Sequence, residues 1–244
     1  MIIRLIAPAK LTLSLRCTGV RADGLHLIDA EMVTLDLHDE LVIDERGTGL
    51  VIEGAGADVV PDEENLVARA LRLAGRTAGV TLRKRIPSQA GLGGGSADAA
   101  AVLRWSGFGA ERRQLELAAG IGADVAFCLV GGRARVSGIG EVVQPLAFEP
   151  RTFTLVTPPI ACPTAAVYRA WDALGGPTHE SGNDLEPAAL RVAPDLARYR
   201  DELGEATGQR PVLAGSGSTW FVDGSHPAPG RVVVRTTPVG WVPI

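Results

Sequence analysis

Four of the five residues from 91 to 95 are glycine, and Ser96 and a helix-forming run over residues 97–105 follow at once. An ordered glycine gives up more backbone freedom than any other residue, so this density is costly in a plain turn. It is useful where backbone N–H groups must converge without Cβ atoms in the way. A glycine loop entering a helix N-terminus turns orphan N–H groups and the positive end of the helix dipole toward an anion. The stretch reads as a phosphate site with Ser96 as the helix N-cap, against the plainer alternative of a flexible turn. It is not a Walker loop, because G-x-x-x-x-G-K-[ST] is absent. The dinucleotide pattern also fails: Ser96 stands at the third glycine, and residues 87–90 separate the loop from the preceding strand.

The rest of the composition bounds the possibilities. A chain of 244 residues allows one large domain or two small ones. Its 46% hydrophobic and 21% charged residues are those of a globular protein. A net charge of -4 without a basic block argues against a nucleic-acid partner. The longest uncharged run, residues 152–168, carries three prolines, and the N-terminal apolar run stops at Lys10. Neither a membrane span nor an export signal is expected. Cys17, Cys128 and Cys162 are scattered and read as small buried hydrophobes in a reducing cytosol. The four histidines are far apart, so no resident metal is expected.

The pattern predicts strands over residues 11–15, 30–37 and 40–44, a hairpin over 47–56, and a helix over 65–75. Further helices are expected over 97–105, 112–119, 165–174, 185–190 and 194–205. An apolar run spans 125–129. Strands are expected over 80–82, 133–136, 153–156, 219–222 and 232–242. Proline-rich sequence suggests a domain boundary near Glu149. A second Gly/Ser loop spans residues 213–218.

Only two of the 24 basic residues are lysine, Lys10 and Lys84. In so arginine-rich a chain, lysine survives where a compact, orientable ammonium is needed. The alternatives are a snorkelling surface lysine at position 10 and a solvated charge cluster around position 84. Asp124, at the head of an apolar run, reads by itself as a helix N-cap.

The stretch from Pro87 through Gly91-Leu92-Gly93-Gly94-Gly95-Ser96 to Ala97 resembles the phosphate loop of the GHMP kinases. Ala7-Pro8-Ala9-Lys10 resembles their first motif and Leu213-Ala214-Gly215-Ser216-Gly217-Ser218 their third. Arg21-Ala22-Asp23-Gly24-Leu25-His26, Gly122-Ala123-Asp124-Val125, Gly138-Ile139-Gly140-Glu141 and Asn183-Asp184-Leu185-Glu186 narrow the resemblance. They point to the branch that phosphorylates a cytidine-diphosphate-linked polyol in isoprenoid precursor synthesis.

This resemblance implies an α+β fold of two domains, residues 1–149 and 150–244. The first would be ribosomal-protein-S5-domain-2-like and the second ferredoxin-like. It implies ATP, with Mg2+ carried on it, and a small-molecule alcohol as acceptor. Asp124 would accept the proton of the attacking hydroxyl, and Lys10 would hold Asp124 ionised and stabilise transferred charge. Asn65 and Lys84 would flank the nucleoside. Pro87, Gly91, Leu92, Gly93, Gly94, Gly95, Ser96 and Ala97 would form the ATP loop. Thr12, Leu25, His26, Thr164, Tyr168, Gly215 and Ser216 would meet the acceptor, with His26 on the cytosine edge and Tyr168 on its face. Two positions depart from the common pattern. Thr12 stands where asparagine is usual, and Leu25 stands where tyrosine would stack. Another small alcohol, of mevalonate or homoserine type, and a non-catalytic nucleotide-binding regulator are the competing readings. Asp98 fits a helix first turn yet would repel phosphate unless it points away or magnesium intervenes.

Overall fold

The computed structural model describes residues 1–54 and 62–243. The chain begins with two long antiparallel strands, β1 (Ile2–Val20) and β2 (His26–Asp44). The expected strands over 30–37 and 40–44 are therefore one, with His38 and Asp39 inside it. The cause is burial on both faces. Leu15, Ala30 and Met32 belong to a core shared with the helices, whereas Leu11, Val33 and Leu35 pack with Phe153, Leu155 and Val234 of a second sheet. A strand covered on both sides loses the apolar–polar alternation that marks a half-exposed one.

The first sheet is completed around β2. Next to the C-terminal part of β2 lies β4 (Gly79–Lys84), and β5 (Arg133–Gly138) pairs with its N-terminal part. The outer strands are β3 (Leu50–Gly54), parallel to β4, and β6 (Val142–Pro145), antiparallel to β5. The parallel β3–β4 pair replaces the hairpin expected over 47–56. Residues 55 and 56 of that expectation lie outside the described residues.

Three helices of the first half follow the sequence pattern, and a fourth forms from the apolar run over 125–129. In α1 (Leu66–Leu73), Asn65 caps the N-terminus by accepting from the Val67 N–H. The alanine-rich α2 (Gly94–Trp105) is buried from Ser96 to Leu103, and its small side chains let it lie close to β1 and to α4 (Val125–Val130). Glu111 and Gln114 form a capping box on α3 (Arg112–Ile121). The run over 125–129 is α4, a single buried turn and a half.

The second sheet has the order β10-β7-β9-β8, comprising β7 (Thr152–Val156), β8 (Val212–Leu213), β9 (Trp220–Asp223) and β10 (Arg231–Arg235). The helices α5 (Thr164–Ala173), α6 (Glu186–Val192) and α7 (Leu196–Thr207) belong to this half. The strand expected over 232–242 stops at Arg235; Pro238 breaks the pairing, since proline has no N–H for a ladder. Two isolated bridges, Leu15 to Asn183 and Leu35 to Thr236, tie the halves together.

Candidate active site

Three separate chain segments meet at Lys10. Register shifts in the β1–β2 ladder lie on either side of residues 10–12, between Pro8 and Lys10 and between Thr12 and Ser14. Bulges of this kind re-aim side chains. Lys10 is only 4% exposed, so it is no surface lysine. Its Nζ donates to Thr12 Oγ1 at 3.0 Å and stands 3.2 Å from Asp124 Oδ2. Its backbone N–H donates to the Leu92 carbonyl at 3.0 Å, which fixes the glycine loop against β1.

The glycines earn their place by contact. Gly93 has φ +66°, and a Cβ there would lie 2.7 Å from Lys10 Cγ. A Cβ on Gly91 would lie 2.2 Å from the Ala214 carbonyl oxygen, so this loop packs on the second Gly/Ser loop. Gly93, not Ser96, occupies the cap position of α2, because its left-handed backbone turns the chain into the helix earlier; Ser96 is the third helical residue. The side chains of Leu92 and Ala97 are buried away from the cavity and serve the core; Leu92 keeps its backbone in the loop, whereas Ala97 lies within α2 with its N–H bonded to the Gly93 carbonyl.

Asp124 precedes α4 with helical backbone angles, and its side chain makes no cap hydrogen bond. The carboxylate turns to Lys10 instead. Its backbone is wedged by the β5–β6 turn: a Cβ on Gly140 would lie 2.3 Å from the Ala123 carbonyl oxygen. On the other side of Lys10 lies Gly215, where a Cβ would be in ordinary contact with Nζ at 3.4 Å. Asn183 Nδ2 holds this second Gly/Ser loop, donating to the Leu213 and Gly215 carbonyls at 2.8 and 2.7 Å. Asn183 and Gly140 sit in motifs visible in the sequence, but their partners lie far along the chain.

Lys10, Thr12, Asp124, Gly215 and the glycine loop border one cavity of about 1350 Å³. It gathers every candidate residue except Leu92 and Ala97. At one end, His26 Nε2 is 2.8 Å from Asp172 Oδ1, and its ring lies 4.6 Å from that of Tyr168. Burial pushes the Tyr168 hydroxyl pKa up, so it stays protonated. Thr164 and Ser216 hydroxyls share a hydrogen bond of 3.0 Å. Leu25 borders the cavity and is 46% exposed. At the other end are Asn65, the glycine loop and Lys84. Lys84 is buried and paired to Asp39 and Asp98 at 2.5 and 2.7 Å, which disposes of the solvated-cluster reading. Asp98 thus answers to a lysine. The three cysteines are free, Cys128 and Cys162 are buried, and burial raises the Cys128 thiol to about 12, so it is inert at neutral pH.

A buried ammonium paired with a part-exposed carboxylate, facing a glycine loop at a helix start, is the equipment of a phosphoryl-transfer enzyme, and here it defines a GHMP kinase, an ATP-dependent small-molecule kinase. The model of the GHMP kinases N terminal domain matches residues 65–132. A 4-diphosphocytidyl-2-C-methyl-D-erythritol kinase of Paracoccus denitrificans is 38% identical, over 96% of this chain and 93% of the relative. Its counterpart in Xanthobacter autotrophicus is 39% identical over 90% of this chain and 89% of the relative. A crystal structure of 4-(cytidine 5'-diphospho)-2C-methyl-D-erythritol kinase superposes with a TM-score of 0.72 at 33% identity, covering 96% of this chain and 99% of that one. A homoserine kinase from Cytophaga hutchinsonii shares the fold, with a TM-score of 0.63 at 19% identity over 98% of this chain and 95% of that one. The chain belongs to the 4-diphosphocytidyl-2-C-methyl-D-erythritol kinase family.

Proposed function

We propose that this protein transfers the γ-phosphoryl group of Mg-ATP to the 2-hydroxyl of 4-diphosphocytidyl-2-C-methyl-D-erythritol. The observation that carries the reading is the Lys10–Asp124 pair between the glycine loop and the second Gly/Ser loop. Magnesium enters as part of the nucleotide. The ATP phosphates lie on the N–H groups of residues 91–96, and the nucleoside lies toward Asn65 and Lys84. The acceptor lies between Leu25-His26 and Thr164-Tyr168, with its diphosphate near the Thr164 and Ser216 hydroxyls.

In the transfer, the acceptor hydroxyl oxygen bonds to the γ-phosphorus while the bond to the β–γ bridging oxygen breaks and ADP leaves. Asp124 takes the hydroxyl proton. Thr12 and Asp124 occupy two of the three Lys10 ammonium hydrogens, and the third serves a phosphoryl oxygen. A preorganised donor of this kind is worth about 3–4 kcal/mol of barrier. The chain is read as two parts dividing near Glu149, where one sheet gives way to the other. No described helix is long and apolar enough to cross a membrane. We place the enzyme in the cytosol, with small molecules and neither nucleic acid nor membrane as its partners.

The test is ADP release by the purified protein with Mg-ATP, with and without the cytidyl acceptor. Acceptor-dependent release is expected. ATP binding without such release would overturn the acceptor assignment and send the search to other alcohols.

A further inference from the structure

The phosphate loop is bounded by two groups that a single lysine joins. On its entry side, Asp39 of β2 accepts from the backbone N–H of Arg85 and Ile86 at 2.5 and 2.8 Å and from Lys84 Nζ at 2.5 Å. On its exit side, Asp98 in the first turn and a half of α2 accepts from the same Nζ at 2.7 Å. Lys84 Nζ also lies directly beneath the start of α2: a Cβ on Gly94 would be 3.0 Å from it. Lys84, Asp39 and Asp98 are all buried, Asp98 being 1% exposed. Asp98 Oδ1 has no hydrogen-bond partner among the described residues.

An ammonium at a helix N-terminus opposes the helix dipole. Even with carboxylates paired to it, the cost of taking the charges out of water cancels most of their attraction. This arrangement is therefore poor as a device for stability alone. Its geometric effect is specific, because Lys84 and Asp98 stand at either end of the loop over residues 85–93.

We propose that Asp39, Lys84 and Asp98 form an ionic clasp that closes the phosphate loop and holds its N–H groups in the geometry that receives the nucleotide. Asp98 is a positioning residue in this arrangement. It acts through Lys84 and the start of α2 and makes no contact with the reacting atoms. The consequence for ATP rests on the kinase reading above; the closure of the loop does not.

Two measurements separate them. The first is hydrogen exchange of the backbone amides of residues 88–95 in the full chain without nucleotide. Asp98→Ala is expected to speed their exchange at least tenfold while the amides of β2 keep their protection. Asp98→Asn retains an oxygen toward Lys84 and is expected to restore most of the protection. The second is steady-state kinetics. Asp98→Ala should raise KM for ATP at least tenfold, with kcat and acceptor KM changed by no more than about twofold, and Asp98→Asn should recover most of the difference. Unaltered loop exchange in Asp98→Ala, or exchange accelerated equally through β2, overturns the clasp. If Asp98→Ala does not fold, Asp98→Asn and Lys84→Met carry the exchange test: faster exchange of residues 88–95 in Lys84→Met, with β2 still protected, and near-native protection in Asp98→Asn are required. An absence of turnover in the native chain would count against the kinase reading and leave the exchange result decisive for the clasp.

Discussion

Asp124 and Lys10 show how little a residue's own neighbourhood says of its work. By sequence, Asp124 is a helix cap and Lys10 a snorkelling cation; in the fold each is the other's partner at 3.2 Å. Asp124→Asn keeps the shape and removes the base, so we expect ATP binding to persist and kcat to fall by about 10²–10⁴, the range of general-base contributions. A kcat near the native value would exclude Asp124 as the base. Lys10→Arg is expected to lose about 10²–10³ in kcat, because a planar fork cannot replace a point charge whose stem is crowded by Gly93 and whose head pairs with Thr12 and Asp124. Leu25 invites the opposite experiment. It is 46% exposed at the cavity rim, near the His26–Tyr168 pair. Leu25→Tyr adds a stacking face worth about 1–3 kcal/mol by analogy with aromatic–base contacts. The acceptor KM should fall several-fold with ATP KM unmoved; an unchanged acceptor KM would show that the base does not lie against position 25.

At the scale of elements, the phosphate loop was legible because its information is local: glycine density, a following helix, and no lysine of the Walker kind. The helices were legible for the same reason, to within a few residues. The full length of the two long strands was not, since two-sided burial erased the alternation over much of them and the bulges beside Lys10 leave no sequence mark. Nor were the contacts of Asp39, Gly140 and Asn183, whose partners are 45 residues away for Asp39 and Lys84, and 30 for Asn183 and Leu213. Their meaning is set by topology. The clasp also makes a statement about pH. Burial, the largest cause, raises Asp98 from 3.8 to about 7, partly opposed by Lys84. Between those values the folded chain holds a proton that the unfolded chain has released. This contribution to stability is present below about pH 4 and is lost as pH rises to about 7. Asp98→Asn removes the titration. The Tm difference, variant minus native, should therefore grow as pH rises from 4 to 7 and then level off. Parallel melting curves across that range would mean that Asp98 does not titrate there.

For the whole molecule, the change of sheet near Glu149 does not divide the core. A single cluster of buried side chains runs from Leu15, Met32 and Phe127 in the first half to Trp171, Leu203 and Trp220 in the second. A second cluster joins Leu11 and Leu35 to Phe153 and Phe221, whose rings meet edge to face at 5.6 Å. Arg16 and the Cys17 N–H both donate to the buried Asp184 carboxylate, adding polar ties across the same junction. Two bodies so joined cannot expose one half without stripping apolar surface from the other. We expect one cooperative unfolding transition, with equal calorimetric and van't Hoff enthalpies. Phe153→Ala, a fully buried truncation, should destabilise by about 3–5 kcal/mol. Its effect should appear as a lower single Tm, reported alike by tryptophans in the two halves, Trp105 in α2 and Trp220 in β9. If instead Trp220 reported an early transition while Trp105 held to the native temperature, the halves would be separate folding units. The active-site cavity would then lie at a junction able to open independently of either core. A shared transition would mean that Lys10, Asp124 and Gly215, which come from both halves, are held together by the same core that keeps the chain folded.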